Sequence, residues 1–279
     1  MTIQQNLELA VNRLDVKSAE LDAEVLLMHV LNRDRAWLYS HKNDTLSPIK
    51  SYKYRRYIKR RAKGEPVAYI INNKEFYGLD FYVSKNVLIP RPETELLVEE
   101  VIRILKDNSI AIDIGTGSGC IPIALAKNTN KNIDFFGTDI SKKALGVAVK
   151  NAKKHEVKVG FLQGDLLEPI LKKGILKNKG LVITANLPYL SDEMYEENHI
   201  NLKHEPKQAL VAKKNGLALY EKLLKQIKKI NLPMTIFLEI DPRQAKLIEG
   251  IIGRYLPEAK IQIKKDLAKL DRLVIINLQ

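Results

Sequence analysis

The sequence predicts an α/β fold in which a mostly parallel β-sheet, covered by helices on both faces, follows a small all-α bundle. From about residue 91 onward, β-branched apolar runs alternate with segments of helical periodicity, as in sheets built from βαβ units. The first 70 or so residues show the pattern of helices joined by short turns. A chain of 279 residues is long enough for both bodies.

A helical bundle is predicted for residues 1–72. Apolar residues recur there at helical spacing, and Ser and Pro stand where helices commonly begin. The residues that carry these signals are the stripe Leu7, Val11 and Leu14, the cap Ser18 before Leu21, Val25 and Met28, and the start Ser47 and Pro48 of a helix that Gly64 ends.

A β-hairpin linker is predicted at residues 73–90, where Gly78 and Asp80 interrupt aromatic and β-branched residues. Residues 91–279 are predicted to form one α/β domain. Its strands are expected at 110–115, 133–140, 158–165, 181–185, 235–240, 260–265 and 272–278. Its helices are expected at 93–106, from about 120, after 141 and at 216–230. The carboxyl ends of such strands are where ligands bind.

Composition excludes several classes of protein. Cys120 is the only cysteine, so an internal disulfide or a cysteine zinc cage is excluded, and the histidines lack metal-ligand spacing. No apolar stretch reaches the roughly 20 residues that a membrane span needs, and the N-terminus does not resemble a secretion signal. We expect a cytoplasmic protein without a metal and without membrane association, acting as a monomer.

The formal net charge of +13 raises the question of nucleic-acid binding. The densest basic segment is "YKYRRYIKRRAKG", residues 52–64, whose arginines fall largely outside its apolar stripe. This helix could make a weak contact with RNA or with an acidic protein. It could equally be an amphipathic helix with a solvated basic face, and the sequence leaves both open.

The segment "DIGTGSGC", residues 113–120, links a predicted strand to a helix through closely spaced glycines, which let a ligand approach the backbone. Cys120 stands where the dinucleotide fingerprint has its third glycine, which weakens an NAD interpretation. Asp139 ends the next strand and could accept both hydroxyls of a ribose, or only favour a helix dipole. Asp165, followed by Leu166, could meet an adenine edge or only shape a turn. The predicted cofactor-binding loop is Gly115, Thr116, Gly117, Ser118 and Gly119.

These strand ends resemble those of the class I S-adenosylmethionine-dependent methyltransferases. The resemblance implies a Rossmann-like, mostly parallel sheet with a C-terminal antiparallel strand. It also places "TANLPYLS", residues 184–191, at the end of the fourth strand, where such enzymes methylate a planar nitrogen. That nitrogen is a poor nucleophile, so it must be held in line with the methyl group while its N–H groups donate to acceptors.

We therefore expect catalytic roles for Asn186, Pro188 and Tyr189, with Leu187 completing the substrate-binding tetrapeptide. The Asn186 oxygen and the Leu187 carbonyl would accept the substrate N–H groups. Tyr189 would lie against the flat face of the substrate. Asn186 is also expected to border the cofactor.

Over nearly its whole length, the chain resembles the release factor glutamine methyltransferases of the HemK type. The stretches that carry the resemblance are "LDAEVLLMHVL", "GEPVAYI", "KEFYGLDFYVSKNVLIPRPETELLVE", "DIGTGSGC", "NLPYL", "HEPKQALVA" and "KKDLAKLDRLVI". "IPRPETE", residues 89–95, is the most discriminating, and the resemblance implies that it closes over the cofactor, with Arg91 and Thr94 available for contacts.

The implied activity is transfer of a methyl group from S-adenosylmethionine to the N5 amide nitrogen of the Gly-Gly-Gln glutamine in class I peptide-chain release factors. S-adenosylhomocysteine would be the product and no metal would be needed. The helical bundle would recruit the release factor.

One departure from the family pattern keeps an alternative open. The usual tetrapeptide is Asn-Pro-Pro-Tyr, and Leu187 replaces its first proline. Asn-Leu-Pro-Tyr resembles the tetrapeptide of rRNA adenine dimethyltransferases, although those carry their helical domain after the catalytic one. The alternatives are therefore an rRNA adenine N6-methyltransferase and a non-catalytic protein that binds S-adenosylmethionine and RNA.

Overall fold

The computed structural model describes residues 1–176 and 180–279, without the side chains of residues 199–201. The chain divides into two compact units, Met1–Asn73 and Lys74–Gln279. The hairpin that the sequence assigned to a linker at 73–90 is therefore part of the second unit. Among the described residues, no helix combines the length and the apolar character needed to cross a membrane.

The first unit is a bundle of short helices. They are α1 (Ile3–Val11), α2 (Ala19–Leu31), α3 (Arg35–Ser40), α4 (Pro48–Arg61) and α5 (Val67–Ile71). Thr2 forms a capping box with Gln5, and the Ser47 side chain accepts the Lys50 N–H before Pro48 begins α4. Large side chains from several helices, including Leu26 and Tyr54, fill the core.

The predicted helix is present as α2, but of the apolar residues that indicated it, Val25 and Met28 are partly buried and Leu21 is not. Leu21 is 56% exposed, and the residues that α2 buries are offset from it. The predicted cap Ser18 makes no side-chain cap bond, although its hydroxyl donates to Asp22. The buried apolar residues of α2 are Ala23, Leu26, Leu27 and Val30.

In the second unit, a short hairpin precedes alternating strands and helices. The hairpin strands are β1 (Lys74–Phe76) and β2 (Leu79–Phe81). The strands that follow are β3 (Ser109–Ile114), β4 (Ile133–Asp139), β5 (Gly160–Gln163), β6 (Leu181–Ala185), β7 (Met234–Glu239), β8 (Lys260–Lys265) and β9 (Asp271–Leu278). The helices are α6 (Glu95–Ile104), α7 (Cys120–Lys127), α8 (Lys142–Lys154), α9 (Glu168–Lys172), α10 (Asp192–Leu202), α11 (Ala218–Ile227) and α12 (Ala245–Tyr255).

Strands β3 to β9 form a seven-stranded sheet within the described residues, in the order β5-β4-β3-β6-β7-β9-β8. Strands β3 to β7 are parallel, whereas β9 is antiparallel to both β7 and β8. The predicted fold class is confirmed, including the C-terminal antiparallel strand. The predicted strand at 158–165 is too long because β5 ends at Gln163, and α9, α10 and α12 were not predicted.

Helices cover both faces of this sheet, and each face has its own core. One core includes Ile112, Ile183 and Ile236 with residues of α11 and α12. On the other face, Val182 and Phe237 pack with residues of α6 and α7. Phe76 and Phe81 of the hairpin join this second core, so the hairpin is anchored by apolar burial. Both cores hold the central strands rigidly, which fixes the loops at their carboxyl ends.

Candidate functional site

A cavity of about 460 Å³ opens at the carboxyl ends of β3, β4, β5 and β6. Its volume lies in the range of roughly 300–1,000 Å³ that small-molecule and cofactor sites occupy. The loops after these four strands supply Gly115 and Gly117, Asp139 to Ser141, Gly164 to Leu166, and Asn186 to Pro188. The sequence predicted this convergence because neighbouring parallel strands end at one edge of the sheet.

The glycine loop brings bare backbone to this first cavity. Gly115 and Gly117 have φ values of +71° and +53°, a region that favours glycine. A Cβ atom at Gly117 would meet no atom closer than 3.9 Å, so a ligand can lie against this part of the backbone.

Asp139 supports the glycine loop as well as facing the first cavity. Its Oδ2 accepts the Gly117 N–H at 2.9 Å and its Oδ1 accepts the Ser141 N–H at 2.8 Å. Burial raises the pKa of the carboxyl, and these two backbone N–H donors lower it. Each carboxylate oxygen keeps a further lone pair, so the group can still accept two ligand hydroxyls.

Asp165 and Leu166 border the same cavity from the loop after β5. The Asp165 carboxylate pairs with Lys222 Nζ of α11. Gln226 of α11 also accepts the Leu167 N–H at 2.8 Å, so the helix holds this loop in place. The Asp165 side chain is thus engaged by a cation, which leaves the neighbouring backbone as the better candidate to meet a ligand base.

Asn186 follows β6 directly and borders the first cavity and a second one. Its Nδ2 donates to the Thr94 hydroxyl over 3.0 Å. That hydrogen bond uses the donor end of the carboxamide and leaves Oδ1 as an acceptor. That Asn186 accepts a substrate N–H stays a prediction, and this orientation of the carboxamide is compatible with it.

Leu187 is buried, and its backbone is held by the Tyr220 hydroxyl. The Leu187 N–H donates to that hydroxyl over 3.3 Å, and the hydroxyl itself donates to the Glu239 carbonyl. The Tyr220 oxygen is also 3.4 Å from the Leu187 carbonyl. Because a phenol has one proton and the Glu239 contact is the shorter, the Leu187 carbonyl keeps its capacity to accept from a ligand.

The second cavity, of about 390 Å³, adjoins the first and shares Leu88, Asn186, Leu187 and Ala209 with it. Tyr189 and Arg91 border the second cavity and not the first. Burial raises the pKa of the Tyr189 phenol, so this ring stays neutral. The Tyr189 carbonyl accepts the Gln244 Nε2–H group over 2.8 Å, which fixes the end of the tetrapeptide.

A buried carboxylate ties the "IPRPETE" segment to this second cavity. Glu205 Oε1 pairs with Arg91 at 2.5 Å, and its Oε2 accepts the Ile89 N–H at 3.1 Å. Arg91 therefore borders the second cavity and not the first. Thr94 borders neither, because its side chain is buried beneath Asn186.

Three other predicted cofactor residues also lie away from the first cavity. Thr116 and Ser118 point into the protein, where they are buried, and Gly119 packs against Ala148 of α8. The Ser118 carbonyl accepts from Asn151 at 2.9 Å. These residues shape the loop, while Gly115 and Gly117 meet the cavity.

Sequence reasoning missed two segments that close the first cavity. They are Asn86 to Leu88, and the stretch from Pro206 to Lys213. Residues 206–212 of the second belong to "HEPKQALVA", which carries part of the family resemblance and for which the sequence predicted no role. The local signal in this stretch was Glu205 followed by a proline and a turn. The contact that explains Glu205, with Arg91, could not be predicted because Arg91 is 114 positions away.

Two buried carboxyl groups lie beneath the site. Burial raises the pKa values of Asp113 and Glu239 to about 7. Asp113 accepts the Thr184 hydroxyl at 2.8 Å, while its Oδ2 has no hydrogen-bond partner within residues 1–176 and 180–279. In the same part of the chain, no group of three or more His, Cys, Asp or Glu residues is arranged to hold a metal ion.

Comparison with known proteins agrees with this arrangement. Residues 5–71 match a family model described as the PrmC N-terminal domain, and residues 105–268 match a methyltransferase domain. The chain is 35% identical over 254 residues to a release factor glutamine methyltransferase of Staphylococcus aureus, covering 90% of each chain. It is 40% identical over 217 residues to one of Coxiella burnetii, covering 76% of this chain and 75% of that one.

Among solved structures, a methyltransferase from Pyrococcus furiosus has the same fold. It aligns with a TM-score of 0.50 and 19% identity, covering 78% of this chain and 98% of that chain.

Proposed function

The chain belongs to the release factor glutamine methyltransferase family, and from this premise we propose that it methylates the N5 amide nitrogen of the Gly-Gly-Gln glutamine in class I release factors. It is a methyltransferase by family and by fold. The methyl donor in this proposal is S-adenosylmethionine, and the product is S-adenosylhomocysteine.

The first cavity fits this cofactor. Gly115 and Gly117 present backbone without side chains, and Asp139 offers acceptors for the two ribose hydroxyls. The backbone around Asp165 and Leu166 would meet the adenine, and the Asn186 to Pro188 loop would border the reactive end. When bound, the cofactor supplies a methyl group on a positively charged sulfonium.

The second cavity would receive the glutamine side chain. Asn186 Oδ1 and the Leu187 carbonyl would each accept one N–H of the substrate amide, which turns its nitrogen toward the first cavity. Tyr189 would pack against the amide plane. Asn186 would thus hold the amide nitrogen of the substrate glutamine. This nitrogen gains the methyl group and loses one proton to solvent. A preorganised, largely dry pocket suits this reaction because the sulfonium charge disappears in the transfer.

The observation that carries the proposal is the position of Asn186. It alone of the tetrapeptide's polar side chains borders both cavities, and its donor end is already occupied by Thr94. The Asn186 Oδ1 atom is therefore available as an acceptor where the first cavity, proposed for the methyl donor, meets the second, proposed for the substrate.

The experiment is transfer of labelled methyl groups to a purified class I release factor. Label is expected on the Gly-Gly-Gln glutamine and absent when that glutamine is changed to alanine. Asn186→Ala should lower kcat by at least ~100-fold, a loss typical of removing an oxyanion-hole type contact. Asn130→Ala, an exposed site outside both cavities, is the matched control. Label on adenine of rRNA, or full turnover by Asn186→Ala, would contradict the proposal.

The RNA-adenine alternative is not favoured, since the relatives match over both units of the chain and are release factor glutamine methyltransferases. We also propose that the first unit recruits the release factor in the cytoplasm and that the enzyme acts as a monomer. The exposed basic residues of α4, including Arg55 and Arg56, would add a weak RNA contact. Loss of that contact in Arg55→Gln/Arg56→Gln, measured by salt-dependent RNA binding, is the test.

A further inference from the structure

The two ends of the Asn186 carboxamide are almost equal in shape and opposite in hydrogen bonding. Only Oδ1 can accept a substrate N–H, so a flipped side chain would present the wrong group. The contact that distinguishes the two orientations is the 3.0 Å hydrogen bond from Nδ2 to Thr94 Oγ1. Whatever fixes Thr94 as an acceptor therefore fixes the catalytic orientation of Asn186.

Thr94 is 2% exposed and ends the helical turn Pro92–Thr94 before α6. Its hydroxyl has a single proton, which the hydrogen bond from Asn186 does not use. A buried hydroxyl proton needs an acceptor, and the neighbouring Glu239 carboxyl, whose pKa Thr94 lowers, is the candidate for it.

Strand register brings Glu239 to this place. Ala185 of β6 pairs with Leu238 of β7, so Asn186, the first residue after β6, lies beside Glu239, the last residue of β7. Tyr220 clamps the Glu239 backbone by donating to its carbonyl. Glu239 is 1% exposed, and its Oε2 has no hydrogen-bond partner in the described part of the chain.

The charges that face Glu239 come from two neighbouring segments. Arg272 of β9 and Arg91 lower the pKa of the carboxyl, whereas Glu93 raises it. Burial is the largest influence and raises the pKa to about 7. At pH 8 the group is therefore mostly ionised, and an ionised carboxylate can only accept hydrogen bonds.

We propose that Glu239 and Thr94 are positioning residues, in which the carboxylate takes the Thr94 proton and Thr94 takes the Asn186 amide proton, so that Asn186 Oδ1 faces the substrate. This inference rests on the proposed role of Asn186. Neither residue touches the reacting atoms. Their effect on catalysis passes through the orientation of one carboxamide.

The first test compares Thr94 variants at pH 8. Thr94→Val removes the hydroxyl with little change of shape and should lower kcat roughly tenfold to a hundredfold, because misplacing a catalytic group by about 1 Å can have an effect of this order. Thr94→Ser keeps the hydroxyl and should restore most of the rate. Thr235→Val, at the opposite end of β7, is the control and should leave kcat unchanged. Affinity for S-adenosylhomocysteine, measured by calorimetry, should stay the same in all three.

The second test changes the acceptor. Glu239→Leu removes it and should lower kcat about as much as Thr94→Val, whereas Glu239→Gln keeps an oxygen and should lose less. Glu239→Gln keeps the size of the side chain and removes only its charge, so its smaller loss of kcat remains measurable if Thr94→Val or Glu239→Leu fails to fold.

A double-mutant cycle separates positioning from a general structural role. In an Asn186→Ala background, Thr94→Val should cause no further loss of single-turnover rate, because the carboxamide it orients is gone. Losses that multiply, or wild-type kcat in both Thr94→Val and Glu239→Leu, would overturn the inference. Wild-type turnover by Asn186→Ala alone would instead overturn the proposed function, so the two failures are distinguishable.

Discussion

Leu187 Cδ2 lies 2.9 Å from the position that a Cβ atom would take at Gly115. The residue that departs from the family tetrapeptide is thus packed against the first glycine of the cofactor loop. Leu187 is 3% exposed, so its side chain has little space into which it can move. The tetrapeptide and the glycine loop therefore act as one packed unit.

Gly115→Ala is expected to damage this unit. The φ of +71° strains any side chain there, and the new methyl group would clash with Leu187. We expect a loss of about 1–3 kcal/mol in the free energy of unfolding and weaker binding of S-adenosylhomocysteine. Urea denaturation and calorimetry measure the two effects. Gly250→Ala, in an open and exposed part of α12, is the control and should stabilise by about 0.5–1 kcal/mol. Equal stability of the two variants would contradict this prediction.

Leu187→Pro restores the usual family tetrapeptide and should retain catalysis. The carbonyl that accepts from the substrate is kept, and the extended conformation that proline favours at Asn186 suits a residue leaving a strand. The cost falls on stability, because the 3.3 Å hydrogen bond to Tyr220 and buried apolar contacts are lost. We expect kcat within roughly fivefold of wild type and a stability loss of about 1–3 kcal/mol. A hundredfold fall in kcat would show that Leu187 has a catalytic role of its own.

The sheet and the cofactor edge could be predicted because their signals are local. Strands β3 and β6 are buried throughout, so each is visible in the sequence as a largely apolar run. The residues that line the site follow each run directly along the chain. The buried face of α2 could not be predicted in this way. Apolar residues occur on nearly all sides of that helix, so periodicity did not separate exposed Leu21 from buried Leu26.

Helix α12 was missed for a different reason. Gly250 and Gly253 lower its intrinsic helix propensity, and burial of Ile248 and Ile252 compensates for them. The partner of Asn186 was missed because Thr94 is 92 positions away. No local pattern reveals such a contact, while a contact between Thr94 and the cofactor stays a prediction.

Asp139→Asn should weaken cofactor binding by two effects. The substitution replaces one oxygen with an amide donor, so either the Gly117 N–H or the Ser141 N–H loses its acceptor. It also removes a charge-assisted acceptor for the ribose. We expect the Kd for S-adenosylhomocysteine to rise ~10- to 100-fold, corresponding to about 1.4–2.8 kcal/mol. Asp15→Asn, at an exposed site of the first unit, should leave it unchanged. An unaltered Kd in Asp139→Asn would remove this residue from the cofactor site.

Glu239 and Asp113 should make the protein less stable as the pH rises from about 4 to 7. Burial raises both folded-state pKa values to about 7, whereas an unfolded chain ionises near pH 4. Below pH 4 both states are protonated, so the groups do not disfavour folding. Between pH 4 and 7 only the unfolded chain releases the protons, which favours unfolding by up to ~1.4 kcal/mol per group and pH unit. Above pH 7 the groups are ionised in both states, so the protein loses no further stability through them.

Other carboxyl groups oppose this trend, so the comparison with a variant is the decisive measurement. The pKa of Glu221, for example, is lowered to about 2 by Lys214, Tyr255 and Lys225. Glu239→Gln cannot ionise, and relative to wild type its free energy of unfolding should rise by about 2–3 kcal/mol between pH 4.5 and 7.5. Asp113→Asn should behave in the same way. The measurement is urea denaturation across this range. A difference between variant and wild type that does not change with pH would mean that Glu239 ionises at its ordinary pKa, and the buried acceptor beneath Asn186 would then carry its charge throughout this range.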